Sequence, residues 1–311
     1  MVIEENPLKD AYRRMIWGPY REALERLPPG WEYRANDALG HLVGAAATKK
    51  MAQVAGNIRR GLPGLSASEA AAAARQTMGT HFLNQYASFA FGRITVDNWD
   101  TYLRFEGLER IEAHARARRG VVLLHPHMGP AQLPLCVLGV RGYRVHQIGG
   151  GEPAVEKTAT GKWATELRHS LEARMPVVLH QGGGYLRSLL RALANGEIVL
   201  TAVDGTGGGK EIGRRYPRNV LGHTMGVPVG GFYLAARSGA AIHPLHTIRD
   251  PEKPGRWLSV VGPEVVVQGA DLDATLEAGA DWTAEYLSSV LRKNPGEWHF
   301  WDGFQPGGLI P

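Results

Sequence analysis

The sequence predicts an α/β fold with a mainly parallel central sheet, helices on both faces and a helical N-terminal region. From about residue 96 onward, short apolar segments alternate with amphipathic ones, as strands alternate with helices around a parallel sheet. Residues 121–124 are apolar at every position, which is typical of a strand buried on both faces. Most of the 40 glycines follow predicted strands, where the backbone must turn.

The N-terminal region, residues 1–95, is predicted to contain helices only. Apolar residues recur there at mixed three- and four-residue spacings. Ser66 is followed three positions later by Glu69, which is the pattern of a capping box. The helices predicted in this region cover residues 7–27, 37–58 and 66–91.

The α/β core is predicted over residues 96–311, within one domain that spans 1–311, because no repeat, low-complexity tract or long linker divides the chain. Its predicted strands are 102–106, 121–124, 144–148, 176–180, 197–203, 241–246, 257–261 and 265–267. Its predicted helices are 107–118, 133–140, 155–173, 185–194, 230–238 and 276–293.

Composition limits the classes of partner. Lys and Arg exceed Asp and Glu by 35 to 30, a surplus too small to indicate nucleic-acid binding but compatible with anionic lipid or phosphorylated substrates. Cys136 is the single cysteine, which favours a reducing compartment. No signal peptide and no apolar run of about 18 residues is visible, so we expect a cytoplasmic protein that contacts the inner face of an anionic membrane peripherally.

Two histidines follow the predicted strand at residues 121–124. His125 and His127 are two positions apart, so both could hold a metal ion, as in metal-dependent hydrolases. Pro126 lies between them, and the chain beyond residue 120 is short for the remaining units of a closed eight-stranded barrel. A metal-dependent hydrolase therefore stays a minor alternative, and no bound metal is expected.

His127 is followed five positions later by Gln132. This spacing resembles the HX4D/E motif of the lysophospholipid acyltransferase superfamily, most closely its lipid A lauroyl/myristoyl and phosphatidylinositol mannoside acyltransferases. Further segments similar to that family occur in family order, at residues 49–66, 105–109, 196–204, 226–244 and 295–301. The resemblance covers about residues 40–301.

The resemblance implies transfer of a fatty acyl group from acyl-CoA or acyl carrier protein, as co-substrate and without a cofactor, to a hydroxyl or amine of a lipid or glycolipid. A neutral imidazole can take the proton of the acceptor, so His127 is the expected general base. The residues expected to bind substrate are His125, Gly129, Asp204 and Arg237. Asp204 ends a predicted strand in a glycine-rich turn and could instead only cap that turn.

One position departs from the family pattern. The motif requires Asp or Glu where this chain has Gln132, whose amide can orient the His127 ring but gives no counter-charge. Either Gln132 suffices, or another carboxylate replaces it, with Glu152 the first candidate, or the chain is a catalytically impaired homologue that binds lipid or acyl carrier protein. Arg214, Arg215 and Arg218 could form a phosphate or carrier site, or only a solvated charge cluster.

Overall fold

A computed structural model, which describes residues 7–148, 158–180, 185–205 and 213–304, confirms the α/β class. A seven-stranded, mostly parallel sheet has helices on both sides and follows a helical N-terminus. A separate two-stranded hairpin accompanies it.

The strands and helices have the following bounds. Strands β1 to β9 are Leu103–Glu106, Val121–His125, Val145–Ile148, Val178–His180, Ile198–Ala202, Arg215–Val220, His223–Pro228, Ala241–Arg249 and Trp257–Val261. Helices α1 to α13 are Pro7–Met15, Arg21–Glu25, Trp31–Ala46, Thr48–Gly61, Ala67–Gln85, Ser88–Phe91, Trp99–Tyr102, Leu108–Arg116, Leu133–Val140, Ala159–Glu172, Tyr185–Ala194, Gly230–Ser238 and Leu272–Lys293. A π-helical turn, Ile16–Tyr20, joins α1 to α2, and a 3-10 turn, Pro295–Glu297, follows α13.

The sheet places β2 and β5 side by side near its centre. The strand order is β1-β9-β8-β2-β5-β3-β4, and β8 and β9 form its one antiparallel pair. In the parallel register of β2 with β5, His125 pairs with Ala202. The segments that leave these two strands therefore start next to each other at the carboxyl edge of the sheet, where open α/β sheets bind their ligands.

Strand β2 is buried on both faces, as its apolar run predicts. Leu123 faces a cluster that includes Ile111 of α8 and Leu135 of α9. Leu124 faces the opposite cluster, which includes Phe232 of α12. Burying one such side chain stabilises the fold by roughly 1.5–3 kcal/mol. Strand β2 is therefore held rigidly, and so is the start of the turn that follows it.

The structure differs from the predicted elements mainly at breaks in helices. The helix predicted over 7–27 is interrupted at Gly18, whose φ of −99° and ψ of −107° are not helical, next to Pro19. The helix predicted over 37–58 is two helices, α3 and α4, because Ala47 between them takes φ −90° and ψ 52°. The capping box at Ser66 and Glu69 is present, with both reciprocal hydrogen bonds.

Two differences concern strands. The hairpin β6–β7 was not predicted, because Pro217 and the exposed polar residues of β6 hide the alternation of a strand. The strand predicted over 265–267 does not form, although the Val265 N–H donates to the Ile242 carbonyl.

The N-terminal helices expose several large apolar side chains, at Leu8, Met15, Trp31 and Leu42. Their buried faces pack on each other and on α10, through a cluster that includes Trp17, Phe82 and Leu171. Within the described ranges, no helix combines the length and the apolar character that crossing a bilayer requires.

Candidate active site

His127 and Asp204 form a hydrogen-bonded pair at the carboxyl edge of the sheet. The Nδ1 atom of His127 lies 2.7 Å from Oδ1 of Asp204. The backbone N–H of His127 donates to Oδ2 of the same carboxylate, also at 2.7 Å. Asp204 therefore fixes both the ring and the backbone of His127, and a neutral His127 held in this way carries its lone pair on Nε2.

The Asp204 carboxylate is buried but well supplied with donors. Trp298 donates its indole N–H to Oδ2 at 2.8 Å, so the carboxylate accepts three hydrogen bonds in all. Burial alone would raise the pKa of Asp204, but the His127 ring and the hydrogen bonds from His127 and Trp298 hold that pKa below its usual value. Asp204 is thus an anion at neutral pH, placed to stabilise positive charge on His127.

The His127 ring is partly open to its surroundings. Its side chain is 31% exposed, whereas that of Asp204 is fully buried. Phe300 packs against the ring with its centroid 4.8 Å away. Gly205, three residues beyond the end of β5, lies close by, and a Cβ there would sit 3.2 Å from Cε1 of His127. Nδ1 of His127 is therefore held by a buried carboxylate, while the imidazole ring itself remains partly exposed.

Asn84 of α5 holds the turn that follows His127. Its side-chain N–H₂ donates to the Gly129 carbonyl at 2.7 Å, and its Oδ1 accepts from the Ala131 N–H at 3.0 Å. Gly129 has a φ of +54°, and a Cβ there would lie 2.7 Å from the Thr247 carbonyl oxygen. Glycine is therefore needed at this point of the turn for both backbone conformation and space.

The segment after α13 pairs with this turn in an antiparallel manner. Met128 bridges to Trp298, the Gly129 N–H donates to the Glu297 carbonyl, and the His299 N–H donates to the His127 carbonyl. This pairing brings the Trp298 indole to Asp204.

Glu297 anchors that segment through its buried carboxylate. Arg249 of β8 donates to Oε2 at 2.7 Å, and Gln76 of α5 donates to Oε1 at 2.7 Å. Arg249 also pairs with Asp37 of α3 at 2.6 Å. Helices α3 and α5, strand β8 and the segment beside the site are thus joined in one network, which fixes where Trp298 lies.

His125 is a buried neighbour of the pair. Its ring is 5.3 Å from the His127 ring, and its Nδ1 lies 3.2 Å from the Pro126 carbonyl oxygen. Burial, followed by the nearby His127, lowers the pKa of His125 to about 3, so the ring is neutral at pH 7. His125 thus places a neutral imidazole ring beside His127.

The geometry also bears on the metal-dependent alternative at His125 and His127. Nδ1 of His127 is hydrogen-bonded to Asp204. The two histidines also lie at the carboxyl edge of an open sheet, not of the closed barrel considered for that alternative. Among the described residues, one group of three metal-ligating side chains converges, and it consists of His114, His243 and Glu264 instead.

Of the two residues expected to support the His127 ring, Gln132 and Glu152, the structure describes only Gln132. Gln132 is the half-buried N-cap residue of α9, and no hydrogen bond joins its side chain to His127. Asp204 occupies the ring nitrogen that Gln132 was expected to orient. Glu152, the other candidate, lies outside the described residues.

Three residues were expected to bind substrate besides His125. The Asp204 side chain is fully buried, and its Oδ1 lies against Nδ1 of His127. The N–H and carbonyl of Gly129 are already bonded to Glu297 and Asn84, so its backbone is committed to the turn. Arg237 is exposed in the last turn of α12, just before β8 begins, and this is the opposite edge of the sheet from His127.

The arginines near the hairpin are largely paired within the protein. Arg214 binds Asp273, and Arg218 binds Glu277 and Asp281, all on α13. Arg215 donates to the Gly205 carbonyl at 2.7 Å and so supports the backbone next to Asp204.

Sequence reasoning did not find Asn84, Trp298 or the pairing of Asp204 with His127. One signal for the pairing was present, because both residues follow the two clearest strand patterns of the chain at their polar ends. Asn84 and Trp298 reach the site from distant parts of the chain and carry no local pattern that marks them.

A family model described as "Bacterial lipid A biosynthesis acyltransferase" matches residues 20–302, about nine-tenths of the chain. No curated protein matches the sequence. The matched range includes Asn84, His127, Asp204 and Trp298.

Proposed function

This chain belongs to the bacterial lipid A biosynthesis acyltransferase family and is an acyltransferase, and from this premise we propose that His127 and Asp204 are its catalytic pair. The acyl group would come from a thioester, acyl-CoA or acyl carrier protein. It would pass to a hydroxyl, or an amine, of a lipid or glycolipid acceptor.

The 2.7 Å contact between His127 Nδ1 and Asp204 Oδ1 carries the proposal. Because Asp204 is buried, ionised and fixed by three donors, it selects the ring tautomer with the proton on Nδ1. Nε2 of His127 is then free to accept the proton of an acceptor hydroxyl. This is the role that a carboxylate five positions after the histidine has in the HX4D/E motif, supplied here from the neighbouring strand.

In the proposed reaction, the acceptor oxygen attacks the thioester carbonyl carbon while its proton passes to Nε2 of His127. Asp204 stabilises the imidazolium that forms. The tetrahedral intermediate then collapses, the carbon–sulfur bond breaks, and the leaving thiolate takes the proton from Nε2. The products are the acylated acceptor and the free thiol, and His127 is neutral again.

The alternative of a catalytically impaired homologue arose from Gln132. Since Asp204 meets the His127 ring from another strand, an amide at residue 132 no longer implies a ring without a counter-charge. We therefore favour an active transferase over a chain that only binds lipid or acyl carrier protein.

We propose that the transfer takes place at a membrane surface. The family's acceptor is a lipid, and the chain carries a net charge of +5, which favours an anionic surface. Exposed apolar side chains such as Leu8 and Trp31 on the N-terminal helices could enter the interface. Co-sedimentation with vesicles of phosphatidylglycerol, but not of phosphatidylcholine, is the expected result, and equal binding to both would contradict the electrostatic part.

A transfer assay tests the catalytic proposal. Two donors, acyl-CoA and acylated acyl carrier protein, each carry a radiolabelled acyl group. Each donor is mixed with a lipid extract and with either the wild type or His127→Ala. We expect transfer to fall on the order of 10²–10⁴-fold in the variant, because the base is lost. His169→Ala, an exposed histidine of α10, is the control and should transfer normally. Equal transfer by His127→Ala and the wild type would overturn the proposal.

A further inference from the structure

Three potential metal ligands from three different segments of the chain converge. They are His114 at the end of α8, His243 in β8 and Glu264 after β9. The two Nε2 atoms lie 3.1 Å apart, and Nε2 of His114 lies 3.7 Å from Oε2 of Glu264. We propose that these residues form a binding site for one divalent transition-metal ion with the preferences of Zn²⁺.

The distances fit such an ion. Zn²⁺ binds histidine nitrogen at about 2.0–2.1 Å and carboxylate oxygen at about 2.0–2.2 Å, so neighbouring ligand atoms in a tetrahedral site are about 3.3 Å apart. The two separations that include His114, 3.1 and 3.7 Å, bracket that value, and all three ligand atoms lie within 4.8 Å of one another. Two imidazoles and a carboxylate are a ligand set that zinc accepts, and water would complete the fourth position.

The ligands are held in place by hydrogen bonds of their own. Nδ1 of His243 lies 2.9 Å from the Gly262 carbonyl, so Nδ1 carries the proton and Nε2 presents a lone pair toward the cluster. Arg119 pairs with Oε1 of Glu264 at 2.8 Å, which leaves Oε2 for the histidines. A carbonyl behind a ligating histidine and a partner behind a ligating carboxylate are the usual outer contacts of a metal site.

His243 is the most buried of the three ligands. It is 2% exposed, and its Nδ1 is held by the Gly262 carbonyl, so only Nε2 faces the cluster. Two cations lie nearby and both are engaged by other groups: Arg119 pairs with Oε1 of Glu264, and Arg110 donates to the Val261 carbonyl. Without metal, the short contact between the two Nε2 atoms is a hydrogen bond in which His114 donates to His243.

The site would be structural. His243 pairs in register with Leu123, the middle residue of β2, and is the third residue of β8, whereas His127 follows the carboxyl end of β2. A metal there would tie α8, β8 and the segment after β9 together. Its loss should therefore lower stability while leaving the His127–Asp204 pair intact, so this inference stands or falls separately from the proposed function.

Zinc binding to the full chain tests the inference. The protein is treated with EDTA, dialysed and titrated with ZnCl₂ against a chromophoric chelator, and Co²⁺ serves as a visible probe of tetrahedral coordination. The wild type should bind one tight equivalent. His114→Ala and Glu264→Gln should each lower that affinity on the order of 100-fold, and Arg119→Gln about 10-fold, as loss of an outer contact does. The exposed His169→Ala should leave it unchanged.

Thermal unfolding provides a second readout. Zinc at about 100 times its dissociation constant should raise the Tm of the wild type by roughly 3–5 °C and that of Glu264→Gln by much less. If the wild type shows no tight zinc equivalent, or if His114→Ala and Glu264→Gln bind zinc as the wild type does, the cluster is only a proton-sharing histidine pair and the inference is overturned.

Discussion

Asp204 lies two residues beyond Ala202, and His127 lies two residues beyond His125, its partner in the register of β5 and β2. The two residues are 77 positions apart in sequence but leave adjacent parallel strands at the same height, which brings Oδ1 within 2.7 Å of Nδ1. The pairing is therefore a property of the strand register, and it gives His127 the counter-charge that Gln132 lacks.

Trp298 should matter to catalysis through one hydrogen bond. Trp298→Phe removes the donor to Oδ2 of Asp204 but keeps an aromatic ring in a fully buried position. A hydrogen bond to a charged group contributes about 1.5–3 kcal/mol, so we expect both lower stability and roughly tenfold lower kcat. Urea unfolding and the transfer assay measure the two effects.

Trp301→Phe is the matched control for that variant. Trp301 is also fully buried, but its indole N–H donates to the neutral Pro295 carbonyl. It should lose less stability, since a hydrogen bond to a neutral group contributes about 0.5–1.5 kcal/mol, and it should retain most of its kcat. Equal loss of kcat in both variants would mean that Trp298 acts by packing alone.

Asn84 should position the turn that carries His127. Asn84→Ala removes its bonds to Gly129 and Ala131, which should cost about 1–3 kcal/mol of stability and lower kcat about tenfold. Asn98→Ala is the control, since Asn98 also bonds two backbone groups, at Arg93 and Thr95, but away from the site. Only Asn84→Ala should reduce transfer at matched fractions of folded protein, and a similar reduction in Asn98→Ala would refute the positioning role.

Gly205 should tolerate no side chain beside His127. In Gly205→Ala the new Cβ would lie 3.2 Å from Cε1 of the ring, so the ring must shift by a few tenths of an ångström. We expect kcat to fall about tenfold because reacting groups need close alignment. Gly56→Ala, where a Cβ meets nothing within 4 Å, is the control and should keep full activity. Unchanged kcat in Gly205→Ala would show that the ring has room to move.

His125 should make the protein less stable in acid. Its folded pKa of about 3 lies below the usual 6.5, so between these values the unfolded chain binds a proton that the folded chain does not. The free energy of unfolding therefore falls as pH falls through this window, by about 1.4 kcal/mol per pH unit for this one group. Guanidinium unfolding from pH 7 to pH 4 should show a shallower fall in His125→Gln than in the wild type. The exposed His169→Gln is the control, and an identical slope in His125→Gln and wild type would contradict the assignment.

Local patterns in the sequence were enough to predict the sheet and most of its helices. The apolar run at residues 121–124 predicts β2, and the pairing of Ser66 with Glu69 predicts the start of α5, because each depends on neighbouring residues only. The break at Gly18 was missed although Pro19 beside it is a local helix breaker, and the break at Ala47 has no proline beside it.

The site was only partly predictable. His127 was named from a short motif, but its partner was sought nearby in sequence, at Gln132 and Glu152. The observed partner, Asp204, depends on which strands are neighbours in the sheet. Asn84 and Glu297 depend on contacts between segments 45 and 221 positions apart, and no single-sequence pattern encodes these.

The kcat of Asp204→Asn, measured beside that of Gln132→Ala, tests the central claim most directly. The asparagine keeps the shape of Asp204 but removes its charge and can stabilise the wrong tautomer of His127, so kcat should fall by about 10⁴-fold, the scale known for such a change in a catalytic triad. Gln132→Ala should stay within a few-fold of the wild type, because its side chain makes no hydrogen bond to His127. Near-normal kcat in folded Asp204→Asn, together with a large loss in Gln132→Ala, would contradict the account.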